Sequence, residues 1–118
     1  MGEYLLLRDN DVAEFIDMPE GSGWLNAAYA AIGCDYIDIV DTHVNSLVLV
    51  IDDCGKCHDG WEQHINVAAS YLYPGSSYGD IIVGNAIVCL RVGSNLIPMD
   101  ESHYFDILRC LPGPLLIK

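Results

Sequence analysis

Leu47 to Ile51 is a continuous apolar run, closed on its C-terminal side by the polar turn Asp52 to Lys56. A run this short, ended by turn residues, reads as a strand buried on both faces or nearly so. With 118 residues there is room for one hydrophobic core, since domains cluster near this size. One domain over residues 1–118 is the expectation.

The rest of the chain supplies strands and helices in mixed order. Tyr4 to Arg8 and Val12 to Asp17 read as strands, separated by the turn residues Asp9, Asn10 and Asp11. Ser22 is placed to cap a helix from about Trp24 to Ile32, with Leu25, Ala28, Tyr29 and Ile32 at helical spacing and Gly33 where a left-handed C-cap is wanted. Tyr36 to Val40 reads as a strand. The Ala-rich segment Asn66 to Tyr73 reads as a short helix, followed by a loop at Pro74-Gly75-Ser76-Ser77. Ile81 to Val92 is the strongest strand signal, with Gly84-Asn85 in its middle marking a bulge or a close backbone approach. Asp100 caps a last helix, about Glu101 to Leu111, and Pro112-Gly113-Pro114 precedes an apolar tail. The fold class is therefore α+β: a mixed, mostly antiparallel sheet with two to three short helices packed on it.

Charge excludes some partners. Seventeen acidic residues against five Lys and Arg give a formal net charge of −12, and no basic stripe exists for a phosphate backbone. Double-stranded nucleic acid is not an expected partner. Neither is a membrane, because no apolar run approaches the roughly 20 residues that cross a bilayer, and the N-terminus carries no basic region of the kind that begins an export signal. Five cysteines, an odd number at scattered spacings, point to free thiols in a reducing compartment, so the cytoplasm is the expected location.

Several stretches taken together carry a family likeness: "IGCDYIDIV", "LVLVIDDCGK", "NVAASYLY", "DIIVGNAIVCL" and "LIPMDE". Its bearers are Ile32-Gly33, the acidic turn Asp52-Asp53-Cys54-Gly55-Lys56, Asn66, Val83-Gly84-Asn85 and Pro98-Met99-Asp100-Glu101. With these the chain resembles the Domain of Unknown Function 3846 family, small proteins common in phages, plasmids and bacterial mobile elements. The resemblance implies a compact α+β fold and a viral or mobile origin, and it brings no activity with it.

No catalytic fingerprint is present. Cys54-Gly55-Lys56-Cys57-His58 matches the haem-attachment pattern C-x-x-C-H, but it stands in a turn of a chain without an export signal. Cys54 and Cys57 with His58 or His64 are weak candidates for zinc, lacking a second C-x-x-C. No cofactor is expected. Neither a G-x-G-x-x-G nor a G-K-[ST] loop occurs, so a nucleotide site would have to be improvised. The residues suited to one are Asn66, Tyr71, Tyr73, Ser76, Gly84, Asn85, Arg91 and Lys56: amides that donate and accept, aromatic faces for stacking, a glycine for close approach and two cations.

Three functions follow. The first is a binding protein that sequesters a nucleotide-like signal of host defence, its pocket shared between subunits of a homo-oligomer. The second is an acidic inhibitor that binds a host defence protein or nucleic-acid-binding enzyme directly, steered by charge. The third is a metal-dependent enzyme centred on the Cys54/Cys57 turn.

Overall fold

The apolar run lies within the strand Leu47–Asp52 and owes its unbroken character to cover on both sides. Successive strand residues face opposite sides of a sheet. Leu47 and Leu49 enter a cluster with Leu5, Leu7 and Val88, whereas Val48 and Val50 enter a second cluster with Leu6, Ile87 and Cys89. All of these side chains are buried, each contributing on the order of 2 kcal/mol.

The computed structural model describes residues 3–113 and 115–117. Its strands are β1 (Tyr4–Leu7), β2 (Val12–Ile16), β3 (Ile37–Asp41), β4 (Leu47–Asp52), β5 (Ala86–Val92), β6 (Asn95–Ile97) and β7 (Leu116–Ile117). They form one sheet in the order β3-β4-β5-β1-β2-β7, with β6 also paired to β5. Every pairing is antiparallel except β2 with β7. The β5 strand is the axis of the sheet. It holds β4 along one edge, and along the other first β1, from Ala86 to Val88, and then β6, from Leu90 to Val92.

Helix α1 (Gly23–Ile32) covers one face of the sheet, and α2 (Val67–Leu72) and α3 (Glu101–Cys110) cover the other. The expected α+β class is what the chain adopts. Gly33 ends α1 in the left-handed conformation, with φ of 80° and its N–H donating to the Tyr29 carbonyl. Asp100 caps α3, its carboxylate accepting from the Ser102 and His103 amides.

Local expectations needed correction at four places. The Ser22 side chain makes no capping bond. The buried stripe of α1 runs through Trp24, Ala28, Ala31 and Ile32, leaving Leu25 exposed. Pro74–Tyr78 is a 3-10 turn rather than a loop. The last long strand begins at Ala86, because Gly84 bends the chain at φ of 87°; before it, only Val83 pairs, with Ile65. Pro114 of the Pro112-Gly113-Pro114 segment, and Lys118, one of the five Lys and Arg, lie outside the described residues.

Candidate functional site

Strands β1 and β4 both run antiparallel to β5, so the residues after β1 and β4 and those before β5 meet at one end of the sheet. Gly33, the cap of α1, arrives there too. Three adjoining clefts open at this end, of about 210, 390 and 280 Å³, and Asp52 lines all of them. The first lies between Lys56, Tyr73 and Asp80, the second between Tyr29, Cys34 and His58, the third between Trp61, His64 and Asn85.

The turn after β4 is built around Gly55. It is buried against the Val83 carbonyl, and a Cβ at this position would stand 2.9 Å from that oxygen. The Cys54 amide donates to Asp52 Oδ1 at 2.9 Å, which tightens the turn. Cys54 and Cys57 are exposed, free thiols. Their mutual hydrogen bond is the main cause that pushes the Cys54 thiol above its ordinary range, and Asp53 and Asp52 add to it. His58 lies 3.1 Å from Asp52 Oδ2, and His64 lies 2.9 Å from Asp9 Oδ2. Both histidines are thus engaged by carboxylates. Among the described residues no three His, Cys, Asp or Glu side chains gather as metal ligands, so the Cys54/Cys57/His58/His64 set is not assembled around a zinc position.

Lys56 does not stand free either. Its Nζ donates to Asp80 Oδ1 at 2.7 Å, and the Tyr73 hydroxyl donates to Asp80 Oδ2 at 3.0 Å. Lys56 first, then Tyr73, hold the Asp80 carboxyl below the usual carboxylate range; the same Asp80 contact raises the Tyr73 hydroxyl. Gly75 leaves room for the Tyr73 ring, whose atoms would lie 2.5 Å from a Cβ there. Ser76 Oγ donates to the Tyr73 carbonyl.

Asn66 is fully buried. Its Nδ2 donates to the Leu7 and Gly84 carbonyls, each at 2.9 Å, and its Oδ1 accepts from the Ala69 amide. These bonds commit it to tying β1, the Gly84 bend and α2 together. Asn85 accepts from the Asp9 amide through Oδ1, while Nδ2 reaches the Ala31 carbonyl only at 3.5 Å. Tyr71 is half exposed and lines none of the three clefts. Arg91 lies at the far end of β5, roughly 17 Å along the strand from Ala86, with Nη2 on Asp41 at 2.6 Å. Of the eight ligand-binding candidates, Lys56, Tyr73, Gly84 and Asn85 therefore line the clefts, with Asn66 and Ser76 behind them. Asp9, which reads from sequence only as a turn residue, lines them too, as do Asp59, Trp61 and Asp80, which no sequence signal marks. The Asp9–His64 contact spans 55 positions, and no local pattern announces it.

Residues 3–107 match the family described as Domain of unknown function (DUF3846). The chain belongs to this family. Neither the curated proteins nor the solved structures compared with it give a match. In this DUF3846 chain the features that carry the likeness mark where elements begin or end: Gly33 closes α1, Asp52 to Lys56 turn out of β4, Asn66 caps α2, Gly84 bends into β5 and Asp100 caps α3. They describe a scaffold more than a chemistry.

Proposed function

We propose that this chain is a binding protein without catalysis of its own, and that its partner is a basic surface on another protein. One observation carries the reading. Each Lys or Arg among the described residues already has a carboxylate at hand: Arg8 with Glu14, Lys56 with Asp80, Arg91 with Asp41 and Arg109 with Asp106, at 3.3 Å or less. At the sheet end seven aspartates line the three clefts against the single Lys56. A phosphate would meet no uncommitted Lys or Arg there, whereas a basic groove would meet a field of one sign, which steers association. In the mobile-element setting that the resemblance implies, such a partner is a host defence protein or nucleic-acid-binding enzyme of the cytoplasm. Pairing of copies along β3 or β7, the outermost strands of the sheet, belongs to the same proposal.

Nucleotide sequestration keeps one observation in its favour: Trp61, Gly84 and Asn85 share the cleft of about 280 Å³, where a base could stack. Asp9, Asp52 and Asp59 line the same cleft and oppose any phosphate that accompanies the base.

The test is to crosslink the protein in cells, identify the partner and measure association of the purified pair at about 0.05 and 0.5 M salt. Screening between these limits should slow association by on the order of tenfold or more. Replacing Asp35, Asp53 and Asp59 together by Asn should slow it likewise. An association rate indifferent to both changes removes the basis of the reading, and calorimetric heat with cyclic or ADP-ribose-type nucleotides would put sequestration in its place.

A further inference from the structure

A separate cavity of about 370 Å³ opens between β2 and the start of α3, lined by Glu3, Phe15, Met99, Asp100, Glu101 and Tyr104. Glu3 precedes β1 and Asp9 follows it, so this cavity lies at the opposite end of β1 from the acidic clefts. Like them it joins carboxylates to aromatic rings, but no Lys, His or Cys lines it. Phe15 and Tyr104 pack against each other in one wall, with ring centroids 5.4 Å apart and planes inclined by 58°, and the buried Met99 lines the cavity too. Phe15 remains 38% exposed, which leaves one ring open to a visitor. None of the lining residues is basic.

We propose that this cavity receives the guanidinium group of an arginine side chain on a protein partner. Aromatic faces attract cations through their negative π surface, and carboxylates at the mouth add charge and hydrogen-bond acceptors. Arginine satisfies both at once. Its flat, weakly hydrated head stacks on rings and donates in a fork to carboxylates, whereas the compact ammonium of lysine is strongly hydrated. The cavity lies near the lower bound of small-molecule sites, a size suited to one anchoring side chain, and arginine is a frequent anchor at protein interfaces.

The Glu3 backbone and the Asp100 carboxylate are held in place before any ligand arrives. Glu3 and Met99 exchange both backbone hydrogen bonds, at 2.8 and 2.9 Å. Asp100 uses Oδ1 to accept from the Ser102 and His103 amides and from the Ser102 hydroxyl, so Oδ2 is the oxygen that the cap does not need. The N-terminus of α3 opposes a cation with about half a positive charge. His103 Nδ1 also stands 2.8 Å from Asp100 Oδ1, and three carboxylates outweigh the helix end and this imidazole together. Arg109, the basic residue of α3, is engaged by Asp106 and does not fill the cavity.

The proposal goes beyond the reading of the acidic clefts, and its test separates the two. Isotope-labelled full-length protein is titrated with Nα-acetyl-arginine methylamide, with its lysine counterpart, and with the citrulline counterpart, which keeps the shape and loses the charge. The Phe15 and Tyr104 ring signals should move with arginine, less with lysine, and with citrulline only at concentrations roughly tenfold higher or more. Glu101→Gln, an exposed change that leaves the fold alone, should weaken the arginine response severalfold, and Phe15→Leu should weaken it further. Citrulline binding as well as arginine would overturn the proposal. So would arginine-induced shifts confined to Asp52, Asp53 and Asn85, an outcome that leaves the acidic-cleft reading standing. Ring shifts as expected, in a protein whose partner association ignores salt, would sink that reading and spare this one.

Discussion

Cys89 and Cys54 carry the same thiol into opposite surroundings. Cys89 is fully enclosed in β5, and burial pushes its thiol up to about 12, with Arg91 pulling weakly the other way. Cys54 is exposed, and its upward shift comes from Cys57 and the neighbouring aspartates. At neutral pH neither is a thiolate, so alkylation of Cys54 by iodoacetamide should be slow and should accelerate as pH rises, while Cys89 stays silent until the chain unfolds. The Cys89 shift also sets an alkaline limit. In the unfolded chain the thiol ionises near its ordinary value of 9.0, and in the fold only near about 12. Between these points the unfolded state has released a proton that the folded state keeps. Stability from this group is therefore whole below pH 9 and declines as pH rises towards 12, by about 1.4 kcal/mol per pH unit. Urea unfolding at pH 8 and 10 checks it: Cys89→Ala should be less stable at pH 8, yet lose less between the two than the parent chain. Equal losses would mean that the thiol does not set the limit.

Elements of this fold are joined by single polar side chains, and Asn66 is the clearest of them. It serves β1, the Gly84 bend and α2 at once. Asn66→Ala would orphan two carbonyls and an amide in a buried place, at roughly 1–3 kcal/mol for each group left unpaired. A loss on the order of 3 kcal/mol in urea unfolding is expected, and a loss under about 1 kcal/mol would show that the three elements hold together without it. Local signals were enough to read Asn66 as the start of α2, Gly33 as the end of α1 and the apolar run as a strand buried on both faces or nearly so, because caps, left-handed glycines and unbroken apolar runs have local physical causes. The short strands β6 and β7 were not legible. They have three and two residues, and β7 exists through a parallel pairing with β2 that lies about a hundred positions away. The buried stripe of α1 was misjudged at Leu25, since Trp24, Ala28, Ala31 and Ile32 satisfy helical spacing equally well and only packing chooses between them. The site was legible where turn chemistry made it, at Lys56 and Gly84-Asn85. It was illegible where tertiary contacts made it, at the pairing of Asp9 with His64, and Arg91 was assigned to it although β5 carries that residue to the other end of the sheet.

Over the whole molecule, salt acts on two properties in opposite directions. A net charge of −12 is carried by a body of 36 × 31 × 28 Å, so many like charges lie within one or two screening lengths of each other at moderate salt. The ion pairs of Arg8, Lys56, Arg91 and Arg109 are at the surface, where each contributes at most about 1 kcal/mol. Repulsion among the carboxylates left without Lys or Arg is the larger account of charge, and it weakens the compact state. Added salt should therefore raise Tm between about 0.01 and 0.5 M, while it lowers the affinity for a basic partner. Asp35, Asp53 and Asp59 allow the two effects to be tied to the same residues, because each lines one of the three clefts and lies exposed. Changing them together to Asn should raise Tm at low salt, flatten its rise with salt and slow association with the partner. Thermal melts of both proteins across the salt series decide the first two effects, and a variant that melts lower than the parent at 0.01 M salt would place the acidic end among the features that stabilise the fold rather than those kept for a partner.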